Sequence, residues 1–389
     1  MTSSGLKFFK DVKRAFFLSR PNRFTVFCRL GKKVVKAFLP NPGRLRELLL
    51  PETLVYLEEA QNPQRKMPYT AVAVEREGTP VMLHTHRTND VAHALINRKL
   101  IPGLEGAEVI KREVSEGKSR FDFLLKRGRE KIFLEVKSCT LFSRQVAMFP
   151  DAVTERGKRH VEELAVLSRG NTKGAVLFLI QWSYAQVFAP EYHTDLEFAK
   201  ALCKARDKIK IIPLSIRWRK DLSIDLSEIK VLDIPWERVE REAKDCGSYL
   251  LILKIPEDRV GEIGGLGKIK FKKGYYIYVG SAKRNLSKRI ERHRKLRKKL
   301  FWHIDYLREI ADFHTALPVR SADDLECEIA KSVNDIADWK VPGFGCSDCS
   351  CSSHLFRMEQ DPLSCAKFHN LLQFYRMERV VGENLKLKR

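Results

Sequence analysis

The sequence predicts a multidomain chain of α/β and α+β class: a small β-barrel or curled sheet, an α/β domain, and a second α/β domain towards the C-terminus. Three observations carry this. Its 389 residues, 44% of them hydrophobic, hold apolar material for two or three ordinary cores. Before Asn89 only short β-rich runs occur, whereas strand-like and helix-like patterns alternate after it, as an α/β domain requires. A polar, charged stretch without a long apolar period, IPWERVEREAKDC (residues 234–246), then separates that region from a new strand at Gly247.

Residues 1–19 read as a basic extension. In the first domain, residues 20–88, strands are expected at Phe24–Leu30, Val34–Leu39, Thr53–Glu58 and Tyr69–Glu75, punctuated by Gly31, Pro40, Pro42, Gly43 and Gly78. The second domain, residues 89–233, carries a helix over Val91–Leu100, two strands around Asp122 and Glu135, and a charged helix over Thr154–Ser168. An apolar strand (Ala175–Ile180), a helix near Asp195–Arg206 and a strand Ile209–Ile216 follow. Residues 234–246 read as a linker. The last domain, residues 247–358, has strands Tyr249–Ile255 and Tyr275–Val279, a basic helix after Leu286 and a helix over Asp323–Val333. Residues 359–389 read as a basic helical tail ending in Lys386, Lys388 and Arg389.

Composition narrows the function. Lys and Arg number 72 against 49 acidic residues, a formal charge of +23, which points to an anionic partner. No apolar run approaches the ~20 residues of a spanning helix, so a membrane protein is not expected. The start lacks the continuous apolar region and small-residue cleavage site of a secretion signal. Nine cysteines, four of them between Cys346 and Cys365, suit reduced thiols or a metal site better than a disulfide framework, and a cytoplasmic location. Oligomeric state is not legible.

The segment KIFLEVKS alternates, with Ile132, Leu134 and Val136 on one face and Phe133, Glu135 and Lys137 on the other. If Gly128-Arg129 is a two-residue hairpin loop, Asp122 stands opposite Glu135. Two opposed carboxylates repel unless a cation lies between them, and hard oxygen ligands with open water positions suit Mg²⁺ or Mn²⁺. Lys137, close to the same ion, is placed to orient the attacking water or stabilise charge on a phosphate. The bland reading is a solvated cross-strand salt bridge.

This spacing matches the Asp…Glu-x-Lys core of the PD-(D/E)XK nuclease superfamily. RPNRF (Arg20–Phe24), LPNPGRLRELL (Leu39–Leu49), FDFLL (Phe121–Leu125), LEVKS (Leu134–Ser138) and FPDAVTERGKRHVEEL (Phe149–Leu164) together resemble the sugar fermentation stimulation protein family over residues ~20–233. The resemblance implies an OB-like barrel joined to a PD-(D/E)XK-type domain, with DNA binding as the activity. On the helix at Thr154, Arg156 and His160 share a face and are expected phosphate contacts, and Glu155 is a candidate support for the metal site. Asn41, Pro42 and Gly43 are expected to make a turn that presents Arg44 and Arg46 to phosphate.

The C-terminal domain carries Gly247-Ser248-Tyr249 and Tyr278-Val279-Gly280, then Leu286, Arg289 and His293, then Leu325-Glu326. This order resembles a GIY-YIG-type nuclease domain, and most nearly a related family of uncharacterised function that shares WHIDYL (Trp302–Leu307) and PGFG…SHLF (Pro342–Phe356). The resemblance implies that Tyr249 or Tyr278 helps activate water, Arg289 holds the phosphate and Glu326 carries Mg²⁺ or Mn²⁺, with His293 on the Arg289 face. Ser248 departs from the name-giving triplet, and 28 residues lie between the two tyrosines, more than a compact hairpin needs. From Lys268 to Lys299 there are fourteen Lys/Arg and one acid, an expected phosphate-tracking surface with Lys283, Arg284, Lys288 and Arg292 among its contacts. Cys346, Cys349, Cys351 and His354 stand at C-x2-C-x-C-x2-H spacing, a candidate Zn²⁺ set onto which Cys327 or Cys365 can fold back. Reduced thiols in a turn are the other reading. His303 and Asp305 are assigned no role beyond structural hydrogen bonds.

The expected function is a DNA-binding, divalent-metal-dependent nuclease hydrolysing phosphodiesters. Its alternatives are a non-catalytic DNA-binding or regulatory protein on a nuclease scaffold, and a nuclease of structured RNA.

Overall fold

The computed structural model describes residues 6–62 and 64–381. The chain divides into two compact units, one comprising residues up to Glu191 with Glu197–Trp236, the other Tyr192–Leu196 with Glu237–Val380.

The first unit begins with β1 (Leu6–Lys7), β2 (Val12–Asn22), β3 (Thr25–Leu30), β4 (Lys33–Phe38), β5 (Leu54–Glu59), β6 (Tyr69–Arg76) and β7 (Thr79–Met82). Strands pair in the order β4-β3-β2-β5-β6-β7, and parallel pairing of β4 with β6 closes β2–β6 into a five-stranded OB-like barrel. Its longest strand is one the sequence reading missed: much of the expected basic extension, residues 1–19, is β2. Ala15 and Phe17 point inward while Arg14 and Phe16 point out, and Lys13 is exposed at the strand's start, so these cations mask the apolar alternation.

An α/β domain follows: α1 (Thr88–Asn97), β8 (Glu108–Glu116), β9 (Ser119–Arg127), β10 (Glu130–Cys139), β11 (Leu141–Phe142), β12 (Val146–Phe149), α2 (Glu155–Leu167), β13 (Thr172–Ile180), β14 (Val187–Pro190), α3 (Leu196–Ala205), β15 (Lys210–Trp218) and β16 (Ser223–Val231). The main sheet runs β1-β16-β15-β13-β10-β9-β8, with β10, β13 and β15 parallel. Central β13 is buried from Gly174 to Ile180, as a strand covered on both faces must be. Phe133, Val176 and Phe178 pack with Val161 and Leu164 of α2 and Phe198 of α3. Leu134, Val136 and Leu177 pack on the other face with Val91, Ala92 and Leu95 of α1. Strand β8 escaped the sequence reading because it is largely exposed and charged, and β16 because exposed Ser227, Glu228 and Lys230 interrupt its apolar alternation.

In place of the expected linker at 234–246 stands a helix, α4 (Trp236–Glu242), with Val239 and Glu242 buried. The second unit contains β17 (Gly247–Ile255), β18 (Arg259–Glu262), β19 (Lys268–Phe271), β20 (Gly274–Ala282), α5 (Leu286–Arg294), α6 (His303–Ile310), β21 (Asp312–Arg320), α7 (Glu326–Asn334), β22 (Trp339–Lys340), β23 (Leu355–Met358) and α8 (Ala366–Gln373). Its antiparallel sheet, β21-β17-β20-β23-β22, is covered on one face by Leu286, Ile304 and Leu307 and on the other by Ile329, Val333, Phe368 and Leu372. Residues 359–389 are therefore not a separate tail: α8 seals a core face. Lys386, Lys388 and Arg389 lie outside the described residues. The long insert between the two tyrosines folds as its own hairpin, β18 with β19. Among the described residues no helix is long and apolar enough to cross a membrane.

Candidate functional sites

Strands β9 and β10 form a hairpin in which Arg127 faces Glu130 and Phe123 faces Leu134, with Gly128 at φ 58° in the turn, a conformation glycine adopts without strain. That register sets Asp122 beside the Glu135–Val136 peptide. Asp122 Oδ2 accepts from Val136 N at 2.7 Å and Oδ1 from Asn89 Nδ2 at 2.7 Å. Glu135 lies on the opposite face from Leu134 and Val136, its side chain only 4% exposed. Its Oε1 accepts from Lys137 Nζ and pairs with His160 Nδ1 at 2.6 Å. Its Oε2 is buried and accepts no hydrogen bond among the described residues.

The helix behind this carboxylate starts where Thr154 accepts from Gly157 N at 3.1 Å, an N-cap. Four-residue spacing then puts Arg156 Nε 3.3 Å from His160 Nε2. A guanidinium only donates, so His160 Nε2 accepts, and the Nδ1 proton faces Glu135. This corrects the expectation for His160: it is almost fully buried, and it orients Glu135 instead of meeting phosphate.

Above these carboxylates opens a cleft of about 1000 Å³, lined by Asp122, Glu135 and Asp151 and by the cations Arg20, Arg23, Arg44, Arg46, Lys137 and Arg156. Glu155 is exposed and is not among the lining residues. The expected turn forms, with Gly43 N donating to Asn41 Oδ1 at 2.9 Å. Arg44 N donates to Asp151 Oδ2 at 2.8 Å, an approach so close that a Cβ at Gly43 would collide with the Asp151 carboxylate. Arg20 fastens the same loop by donating to the carbonyls of Arg44 (2.6 Å) and Asn41 (3.0 Å).

Electrostatics distinguish the two acids. Burial, followed by the charge of Glu135, raises the Asp122 carboxyl to about 6. Burial opposes ionisation of Glu135 too, yet His160 and Lys137 outweigh it and hold its value below the ordinary range. A buried carboxylate oxygen with no partner, beside a second acid that is hard to ionise, is a donor set lacking positive charge. Hard oxygens of this kind fit Mg²⁺, Mn²⁺ or Ca²⁺. Sequence reasoning missed Asn89, which anchors Asp122, and Asp151, which ties the loop. Asp151 sits within a motif that was recognised, whereas Asn89 bore no signal beyond being polar at the start of a helix.

In the second unit Tyr249, Tyr278 and His293 converge, with ring centroids 5.5–6.4 Å apart. Tyr249 OH lies 2.8 Å from His293 Nε2, and His293 Nδ1 lies 3.6 Å from Asp305 Oδ1. Burial raises both phenols well above their usual value, with Tyr278 acting on Tyr249, and Arg289 and Glu326 felt by both. Arg289 stacks 4.2 Å from the Trp302 ring centroid. Glu326 Oε2 accepts from Ser281 Oγ, and Oε1 lies 3.1 Å from His354 Nδ1.

The basic block is only partly a surface. Asp305, fully buried, accepts from Arg292 Nη1 (3.0 Å) and Nη2 (2.9 Å) and pairs with Lys298 Nζ at 2.8 Å. Arg292, expected on phosphate, is instead a bidentate partner of this acid and stacks on Trp302. Lys283, Arg284 and Lys288 are exposed. Asp305 was undervalued because a single Asp in WHIDYL gives no hint that cations from α5 and the loop after it close over it.

The cysteine set also needs correcting. Cys327, Cys349, Cys351 and His354 place one ligand atom each within 4.8 Å of one another, whereas Cys346 Sγ instead faces the Phe344 carbonyl at 3.4 Å. Tertiary folding brings α7 to the loop, and local spacing could not select Cys327 over Cys346. All nine cysteines are free thiols.

Three family descriptions match: the SfsA N-terminal OB domain over residues 18–83, the sugar fermentation stimulation protein RE domain over 86–221, and the domain of unknown function DUF123 over 248–376. A sugar fermentation stimulation protein homolog from Methanothermobacter thermautotrophicus is 38% identical over 227 residues, 58% of this chain and 92% of the relative. One from Clostridium novyi is 39% identical over 199 residues, 51% of this chain and 87% of the relative. The solved structure of Pyrococcus furiosus SfsA in complex with Ca²⁺ aligns with a TM-score of 0.55 at 28% identity, covering 60% of this chain and 99% of that one.

Proposed function

Because the chain belongs to the sugar fermentation stimulation protein family, fused to a DUF123 domain, we propose that its first unit is a divalent-metal-dependent nuclease acting on DNA, with structured RNA as the rival substrate. The observation that carries this is Glu135 Oε2, buried without a partner beside Asp122 on the floor of a cation-lined cleft. A relative solved with Ca²⁺ supports a divalent ion. Asp122 and Glu135 would hold Mg²⁺ or Mn²⁺, which activates a water and polarises a phosphoryl oxygen. Lys137, held by Glu135, is placed to orient that water and to stabilise charge developing on the phosphate. Arg44, Arg46 and Arg156 position the backbone, a role that carries no sequence information.

The C-terminal unit reads best as a grip on the same nucleic acid. Tyr249 and Tyr278 are buried and both Glu326 oxygens are engaged, while Lys283, Arg284, Lys288 and Arg289 gather at the start of α5. The test is cleavage of labelled single-stranded DNA, duplex DNA and RNA with Mg²⁺ or Mn²⁺ against EDTA, using the parent, Glu135→Ala, Arg289→Ala and the double variant. Cleavage abolished by EDTA and by Glu135→Ala, with Arg289→Ala weakening binding alone, is expected. Salt-sensitive binding without cleavage under any condition would sink the nuclease and leave a DNA-binding protein on a nuclease scaffold. A preference for RNA in matched competition would replace the substrate.

A further inference from the structure

We propose that Cys327, Cys349, Cys351 and His354 bind one zinc ion, and that His354 couples this ion to the Glu326 carboxylate. The inference stands apart from the cleavage proposed above. Three thiols from two separated segments, α7 and the loop before β23, converge with an imidazole within 4.8 Å. A tetrahedral ion with bonds of about 2.0–2.3 Å sets its ligands about 3.4–3.8 Å apart, and Cys349 Sγ lies 3.4 Å from His354 Nε2.

The imidazole is oriented for this task. Its Nδ1 faces two acceptors, Glu326 Oε1 at 3.1 Å and the Val279 carbonyl at 3.2 Å, so Nδ1 carries the proton. The Nε2 lone pair is thereby turned towards the thiols. A carboxylate that receives the far proton of a metal-bound histidine fixes its tautomer and raises its basicity. Glu326 occupies that position, with its other oxygen held by Ser281 Oγ, and it adjoins the ligand Cys327 at the start of α7. Glu326 is thus a positioning residue for a soft-ligand site and not itself the ligand of a hard ion.

Full-length protein, purified without chelators, is assayed for zinc by mass spectrometry of the metal, and its cobalt-exchanged form by visible absorption. One zinc per chain is expected, with the thiolate charge transfer and d–d bands of tetrahedral cobalt. Cys327→Ser and Cys351→Ser should lose the zinc, while Cys346→Ser keeps it. Glu326→Gln, which retains all four ligands, should weaken zinc about 10–100-fold in a chelator competition. A folded parent without zinc and without cobalt bands overturns the site, as does a disulfide among the three cysteines in its place. Retention by Cys327→Ser with loss by Cys346→Ser overturns the ligand set. Unchanged affinity in Glu326→Gln overturns the coupling.

Discussion

The two units treat their buried carboxylates in opposite ways. In the first, Glu135 keeps one oxygen without a partner, and burial holds Asp122 at about 6. In the second, Asp305 is enclosed by His293, Arg292 and Lys298, whose attraction overcomes burial and drives its carboxyl far below the usual range. One arrangement is electrostatically incomplete and the other is closed. The incomplete set lacks positive charge, which is the ground for the metal proposed there, whereas the closed one holds the fold together.

Substitution at Asp305 should draw this contrast most sharply. Asp305→Ala strands the buried Lys298 ammonium and unpairs the half-buried Arg292, and should cost about 3–5 kcal/mol of unfolding free energy, read by urea denaturation. Glu135→Gln keeps an oxygen for Lys137 and His160 and neutralises a carboxylate whose other oxygen has no partner, so it should cost less; equal losses would erase the distinction. For the parent, the Asp305 contribution is full above about 3.8 and fades as pH falls below it. Next in size, Lys137→Ala should lower cleavage by about 10²–10³-fold without altering Mg²⁺ affinity by a similar factor. A matching loss of affinity would make Lys137 part of ion binding.

His160→Ala should weaken the ion by about 10–100-fold, measured by titration calorimetry, because it frees Glu135 to turn. No change would reduce His160 to core packing. A pH-dependent effect concerns Glu47, whose carboxyl burial raises to about 7 and whose Oε1 has no partner. The fold prefers its protonated form, so its contribution is full below about 4.5 and is lost as pH rises through about 7. Glu47→Gln should therefore melt higher than the parent at pH 8 and alongside it near pH 4.

Local sequence carried most of the first site. The period of two in KIFLEVKS and the Gly128-Arg129 loop were enough to place Asp122 beside Glu135, because hairpin register is a short-range property. His160 was found by spacing yet given the wrong surroundings, since four-residue periodicity reveals a helix face but not what covers it. Strand β2 was hidden by its own outward cations. Cys327 and Asp305 were misjudged for a common reason: their partners arrive through tertiary folding, from α7 in one case and from α5 and the loop after it in the other.

One detail of the cleft bears on kinetics. Asp151 takes the Arg44 amide, Asn41 Nδ2 donates to the Leu83 carbonyl at 3.0 Å, and Arg20 clasps the loop between them. The wall bearing Arg44 is thus pinned at several points before any ligand arrives, and the aperture is preset. Capture by such an aperture requires no rearrangement, so stopped-flow association of an oligonucleotide should follow a single exponential, with a rate that climbs linearly with concentration and falls steeply with salt.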